Sequence, residues 1–244
     1  MHSNNANWGR WLLNPKCSDW KIKCGDQTYS AHRLVVCSNS AYFATICDGG
    51  FKVRPTRCLL LLVNLEILEA VTQEITLNEH TPLEVMKMLQ YLYMEDYALE
   101  DQDVAAYLQY LFSTEFPADS RQSTDHREGL SNDKGQDCLA RFHARMYSVG
   151  DYFQIPGLKA TARRYFRAAF ESIQFRYAFY VTVEAVYSST PVSDRGLRDM
   201  VVDLVLEEPQ WVRYGEEPML YDGLLRDVPE FAIDLCLESV ETLR

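Results

Sequence analysis

Five histidines and seven cysteines are the side chains with most to offer a metal ion or a nucleophilic reaction. The histidines, at 2, 32, 80, 126 and 143, lie far apart. No H-E-x-x-H, G-x-S-x-G or P-loop spacing joins them to a partner. The cysteines stand at 17, 24, 37, 47, 58, 138 and 236, an odd number without a C-x-x-C pair. A zinc site needs closely spaced ligand pairs, and a disulfide framework belongs to a small secreted chain. Neither condition holds, so free thiols serving as small buried hydrophobes in a reducing compartment are expected. A cysteine–histidine nucleophile could be assembled in space from several pairs, and no spacing favours one. No catalytic residue, cofactor or metal is therefore expected.

Charge narrows the partners. The net charge of −11 argues against nucleic acid, which needs a basic stripe. Between Cys138 and Arg176 the bases Arg141, Arg145, Lys159, Arg163, Arg164, Arg167 and Arg176 outnumber Asp151 and Glu171. From Glu184 onward the balance reverses, with Asp194, Asp199, Asp203, Glu207 and Glu208 close together. Two solvated helix faces of opposite sign account for this. The longest apolar run, 58–68, is broken by Asn64 and Glu66. It falls short of the roughly 20 residues a membrane helix needs. The opening "MHSNNANWGRWLLNPK" has no basic start followed by an apolar run. A cytoplasmic or nuclear protein with no membrane span is expected.

The elements that would position any site follow from spacing. In "SDWKIKCGDQTYSAH", Trp20, Ile22 and Cys24 alternate, Gly25-Asp26 is a turn, and 27–30 returns, which predicts a hairpin. "HRLVVCSNSAYFATICDGG" holds two short helices, with Leu34, Val35 and Cys37 in the first. Ser38 or Ser40 can cap the second, and Gly49-Gly50 can stop it. "EITL" is a short strand. Thr81-Pro82 opens a helix whose Val85, Met88, Leu89 and Leu92 share one face. Residues 99–112 are moderately helical, and 113–137 read as a polar mobile loop. Cys138, Phe142, Met146 and Val149 form a stripe that stops at Gly150. "IPGLKATARRYFRAAF" should turn Leu158, Ala162, Tyr165 and Ala169 inward and Lys159, Arg163 and Arg167 outward. Further helices are expected at 175–187, 194–207 and 221–243. Hairpin, helices, strand and then helices alone make an α+β chain with a helical C-terminal half.

These segments resemble a known family. "SDWKIKCGDQTYSAHRLVVCSNSAYFATICDGGFK" is similar to the opening of a BTB/POZ domain, through Ser-Asp, Ala-His-Arg and Ser-x-Tyr-Phe. "EITLNEHTPLEVMKMLQYLYMEDY" resembles its next block, and "ARMYSVGDYFQIPGLKATARRYF" its closing helix pair. "VYSSTPVSDRGLRDMVVDLV" and "DVPEFAIDLCLESV" look like the extension of stand-alone filamentous-fungal BTB proteins. The resemblance implies a small mixed sheet with an N-terminal hairpin, surrounded by helices and followed by an all-helical extension. The corresponding division is a tail at 1–16, the domain at 17–170 and the extension at 171–244. It also implies a non-enzymatic protein-interaction module. Such modules often form homodimers or link a cullin-3 type ubiquitin ligase to a substrate. Asp19, His32 and Arg33 fall on the family's charged motif near the dimer interface. An acid at the strand start beside a base at the helix start can form a partly buried pair, and for His32 a capping or packing role is expected. Met86, Lys87, Gln90, Tyr91 and Met94 fall where the family's cullin contact would lie. They are off the Val85–Leu89–Leu92 face, so they either face solvent or pack under later helices.

One segment does not fit. "VRPTRCLLLLVNLEIL", 53–68, separates "GGFK" from "EAVTQEITL", and its removal restores the family's spacing. It reads as an insertion, with three origins in competition. Leu59, Leu62, Val63 and Ile67 could form one face of an extra helix, or the leucines could bind a partner. The favoured reading is a translated intron, since the segment opens on a valine, whose codons begin GT, and its composition breaks from both flanks.

Overall fold

The structure is a computed structural model, and it describes residues 8–47, 74–115, 138–207 and 218–242. The chain divides into two compact units. The first comprises 1–98 and 149–159, the second 99–148 and 160–244. The segment 53–68, the Gly49-Gly50 stop and most of the polar stretch 113–137 lie outside the described residues.

In the first unit, β1 (Trp20–Cys24) and β2 (Gln27–Ala31) form an antiparallel hairpin, with Trp20 opposite Ala31 and Ile22 opposite Tyr29. Gly25 adopts the positive φ (55°) that this two-residue turn requires. β3 (Glu74–Thr76) joins the other edge of β1 in parallel, with Ile22 opposite Ile75, and the sheet order is β2-β1-β3. Alternation sends Trp20, Ile22, Cys24, Tyr29, Ala31 and Ile75 inward. Helices α1 (Arg33–Asn39) and α2 (Ala41–Cys47) follow the hairpin. Ser40 caps α2, accepting the Phe43 N–H at 3.2 Å while its hydroxyl donates to the Phe153 carbonyl at 2.6 Å. Phe43 stacks on Phe153 at 5.1 Å and meets Trp20 edge-on at 5.7 Å, which makes an aromatic core.

Helix α3 (Pro82–Met94) begins with a full capping box. Thr81 Oγ1 accepts the Glu84 N–H, and Glu84 Oε2 accepts the Thr81 N–H. Val85, Met88, Leu89 and Leu92 are all buried, as their spacing predicts. The cysteines depart from the expectation of buried free thiols. The Cys37 and Cys47 sulfurs lie close together where α1 and α2 pack against each other. Cys24 and Cys138 are buried thiols, whereas Cys17 and Cys236 are exposed.

The described part of the second unit is helical: α4 (Asp101–Glu115), most of α5 (Leu139–Tyr152) and α6 (Pro156–Glu171), then α7 (Arg176–Ser189), α8 (Arg195–Glu207), α9 (Asp222–Asp227) and α10 (Pro229–Thr242). Helix α5 buries Cys138, Phe142, Met146 and Val149. It passes through Gly150 to Tyr152 rather than stopping there. Helix α6 buries Leu158, Ala162, Phe166 and Phe170, and leaves Tyr165 and Ala169 half-buried. Both phases satisfy the helical period, and the i, i+4 row carrying two phenyl rings wins because it buries more apolar surface. Arg163 and Arg167 face outward as expected, and Lys159 is half-buried. The expected helix at 221–243 is broken at Val228, because Pro229 supplies no N–H to continue α9 and instead starts α10.

Arg198 on α8 is bonded to three neighbouring groups of this unit. It is buried, donates to the Tyr187 and Thr190 carbonyls at 3.1 and 2.6 Å, and pairs with Glu230 of α10 at 2.6 Å. Its guanidinium also lies 4.6 Å from the Tyr187 ring centroid. One side chain thus ties α7, α8 and α10. No helix among the described residues is long and apolar enough to cross a membrane.

Candidate functional site

The hairpin and α1 bring Asp19, His32 and Arg33 together. Asp19 stands one residue before β1, where its N–H donates to the Ala31 carbonyl at 3.2 Å. Its exposed carboxylate accepts the backbone N–H of Arg33 at 2.8 Å. The link is therefore an anion on the first free N–H of a helix, favoured by the positive end of α1. It is not the expected pairing of acidic and basic side chains. The Arg33 guanidinium turns elsewhere, donating to the Cys47 carbonyl at 3.3 Å and lying 5.7 Å from the Trp20 ring centroid.

His32 occupies the N-cap position of α1 without a side-chain capping bond, and its buried ring is bonded at both nitrogens. Nε2 lies 3.0 Å from the Lys16 carbonyl and Nδ1 2.8 Å from the Tyr93 hydroxyl. A carbonyl can only accept, so Nε2 donates to Lys16, and in the neutral ring Nδ1 then accepts from the tyrosine. The same tyrosine oxygen accepts the His32 N–H at 2.8 Å. Burial pushes the Tyr93 hydroxyl up to about 12, with the His32 N–H pulling it back and the Asp19 charge adding to the rise. Tyr93 is thus the hub of this cluster, and its sequence context marked it only as part of a helix. Residues 8–16, expected as a tail, join the unit through a 3-10 turn at Gly9–Trp11. The Trp11 ring meets His32 edge-on at 5.8 Å.

The second set lies on α3, and the structure separates its members. Lys87 is buried, only 5% exposed, which corrects the expectation that it could face a partner. The reason is that Glu84, Val85, Lys87, Met88, Leu89, Leu92 and Tyr93 are all covered, so α3 is enclosed around most of its circumference. The accessible remainder is the i, i+4, i+8 ridge of Met86, Gln90 and Met94, with Tyr91 beside it. Met94 is exposed and the other three are half-buried. The buried Gln90 Oε1 finds no hydrogen-bond partner among the described residues. Tyr91 lies against Gly157, where a Cβ would collide with its hydroxyl. The 3-10 turn packs on the end of α3, and a Cβ at Gly9 would stand 3.4 Å from Met94 Cγ.

Accessible apolar residues outside the expected set include Trp8 and Leu13 around the 3-10 turn, and Leu34 on α1. Leu34 is 71% exposed because Val35 and Val36 take the inner face of α1. Among the described residues, no group of three or more His, Cys, Asp or Glu side chains could hold a metal ion.

Residues 10–126 match the family model of the BTB/POZ domain. No curated protein matches the chain. The matched segment contains the hairpin, the two short helices, the parallel third strand and the capped helix α3. Residues 10–126 are thus a BTB/POZ domain.

Proposed function

We propose that this protein-interaction module is an adaptor that links a cullin-3 type ubiquitin ligase to a substrate. In this reading 17–170 form the interaction domain, and the extension at 171–244 recruits the substrate or lengthens the ligase contact. The work is done in the cytoplasm or nucleus. The observation that supports it is the accessible ridge of Met86, Gln90 and Met94, with Tyr91, on an otherwise enclosed α3. Methionine and tyrosine are common at the centres of protein interfaces. Pull-down of cullin-3 by the full chain tests the reading. Binding is expected for the wild type and lost in Met94→Asp, with circular dichroism showing an intact fold. No binding by the folded wild type would sink the adaptor role, and unaffected binding by Met94→Asp would exclude this ridge.

A homo-oligomerising scaffold without a ligase connection is the second reading. Leu34 favours it, an exposed apolar side chain on the helix that Asp19, His32 and Arg33 introduce. In this reading sedimentation shows a dimer that Leu34→Asp dissociates.

A further inference from the structure

Helices α1 (Arg33–Asn39) and α2 (Ala41–Cys47) are joined through Ser40 alone and pack against each other. Arg33 and Cys37 stand at i and i+4 on one side of α1, and both reach residues of α2. The Cys37 sulfur lies against that of Cys47, and its thiol points at the Phe43 carbonyl, 3.5 Å away. The Arg33 guanidinium donates to the Cys47 carbonyl at 3.3 Å. Both cysteines are half-buried, so the pair remains open to a small solute. The other described cysteines differ. Cys24 and Cys138 are sealed in the interior, and Cys17 and Cys236 are exposed single thiols.

Two thiols are too few for a structural zinc site, and among the described residues no third metal-binding side chain completes the set. The chemistry open to two adjacent thiols alone is disulfide formation. The Cα atoms are 7.1 Å apart, just beyond the usual range of bonded pairs. Closing the bond therefore draws the end of α2 toward α1. Cys47 carries the carbonyl that Arg33 holds, and the Arg33 N–H is held in turn by Asp19 at 2.8 Å. A bond between the sulfurs thus acts directly on the Asp19–Arg33 group.

We propose that Cys37 and Cys47 are a reversible oxidation site, a dithiol that a small hydroperoxide converts to a disulfide clamping α1 to α2. One thiolate attacks the peroxide, the O–O bond breaks, and the alcohol leaves as the sulfur becomes a sulfenic acid. The second thiolate attacks that sulfur, the S–S bond forms, the S–O bond breaks, and water leaves. Two electrons pass from the sulfurs to the peroxide, and the two thiol protons end on the alcohol and the water. A dithiol reverses the step by exchange, giving both its protons to the cysteines and becoming a disulfide itself. The site lies on α1 and α2 and does not depend on the ligase reading of α3.

The test uses the full chain, reduced with dithiothreitol, freed of it, and exposed to a small excess of hydrogen peroxide. Both cysteines fall in one tryptic peptide, 34–52. An internal disulfide appears there as the loss of two hydrogens and of alkylation at both positions. That product is expected, with full return on adding dithiothreitol. In Cys37→Ser and in Cys47→Ser the remaining thiol should stop at the sulfenic acid and be trapped by dimedone. Amide hydrogen exchange across 34–47 should slow about tenfold or more when the wild type is oxidised, and stay unchanged in either variant. Oxidation confined to Cys17 and Cys236, with 34–52 still fully alkylated, would overturn the proposal. So would a bond from Cys37 or Cys47 to a third cysteine, or a disulfide that resists dithiothreitol in the folded chain. Exchange that does not slow on oxidation of the wild type would overturn the clamp.

Discussion

His143 sits on α5 with its ring 5.5 Å from that of Tyr165 and 6.0 Å from that of Phe142. Burial pushes its pKa down from 6.5 to about 4. In the folded chain it therefore stays neutral through a range in which the unfolded chain takes up a proton. Stability is full above pH 6.5 and is lost as pH falls toward 4, by about 2 kcal/mol at pH 5. Urea denaturation at pH 7 and pH 5 checks this, because His143→Gln should lose less stability than the wild type over that interval. Parallel losses would show that other groups carry the pH dependence. At this scale the sequence was a partial guide. The motif brought Asp19, His32 and Arg33 into view, and the structure does place them together. What bonds them was not legible, since the Tyr93 hydroxyl comes from a helix distant in sequence. The choice between solvent and burial for Lys87 was open for a related reason: one helical face can be read from spacing, whereas enclosure of the other faces depends on what packs there.

The elements were most legible where their signals are local. The hairpin follows from alternation around Gly25-Asp26, and α3 follows from its cap and its single apolar row. The phase of α6 was missed because tyrosine and phenylalanine are adjacent at 165 and 166, and period alone does not choose between them. Gly150 misled in another way, since a glycine after a stripe reads as a stop. Its function in the structure is close approach. A Cβ there would stand 2.7 Å from the backbone nitrogen of Lys159, where α5 and α6 meet. Backbone cannot step aside as a flexible side chain can. Gly150→Ala should therefore destabilise the protein by about 1–3 kcal/mol, although alanine is the better helix former by about 1 kcal/mol. Thermal melts of the two proteins decide the sign, and a stabilised variant would refute the close approach.

At the scale of the whole chain, the order of elements was readable because four weak motifs occur in the family's sequence, and the family match covers 10–126. The break between α9 and α10 was also written in the sequence, at Pro229. The partition into two units that each use two separated stretches of chain was not, because it depends on contacts between distant residues. The parallel pairing of β1 with β3 has a consequence for 53–68. Parallel neighbours cannot be joined by a tight turn, so the chain must travel before Glu74 reaches Lys21. The entropy of closing such a connection grows only logarithmically with its length. Removing 53–68 should thus change the closure cost by under about 1 kcal/mol, and the deletion variant should keep a cooperative unfolding transition. Loss of that transition would show that the sheet needs the segment. A long crossover gives this place in the fold a wide tolerance for added sequence, whatever the origin of that sequence, because the strand register is set by Ile22 and Ile75 and not by the length of chain between them.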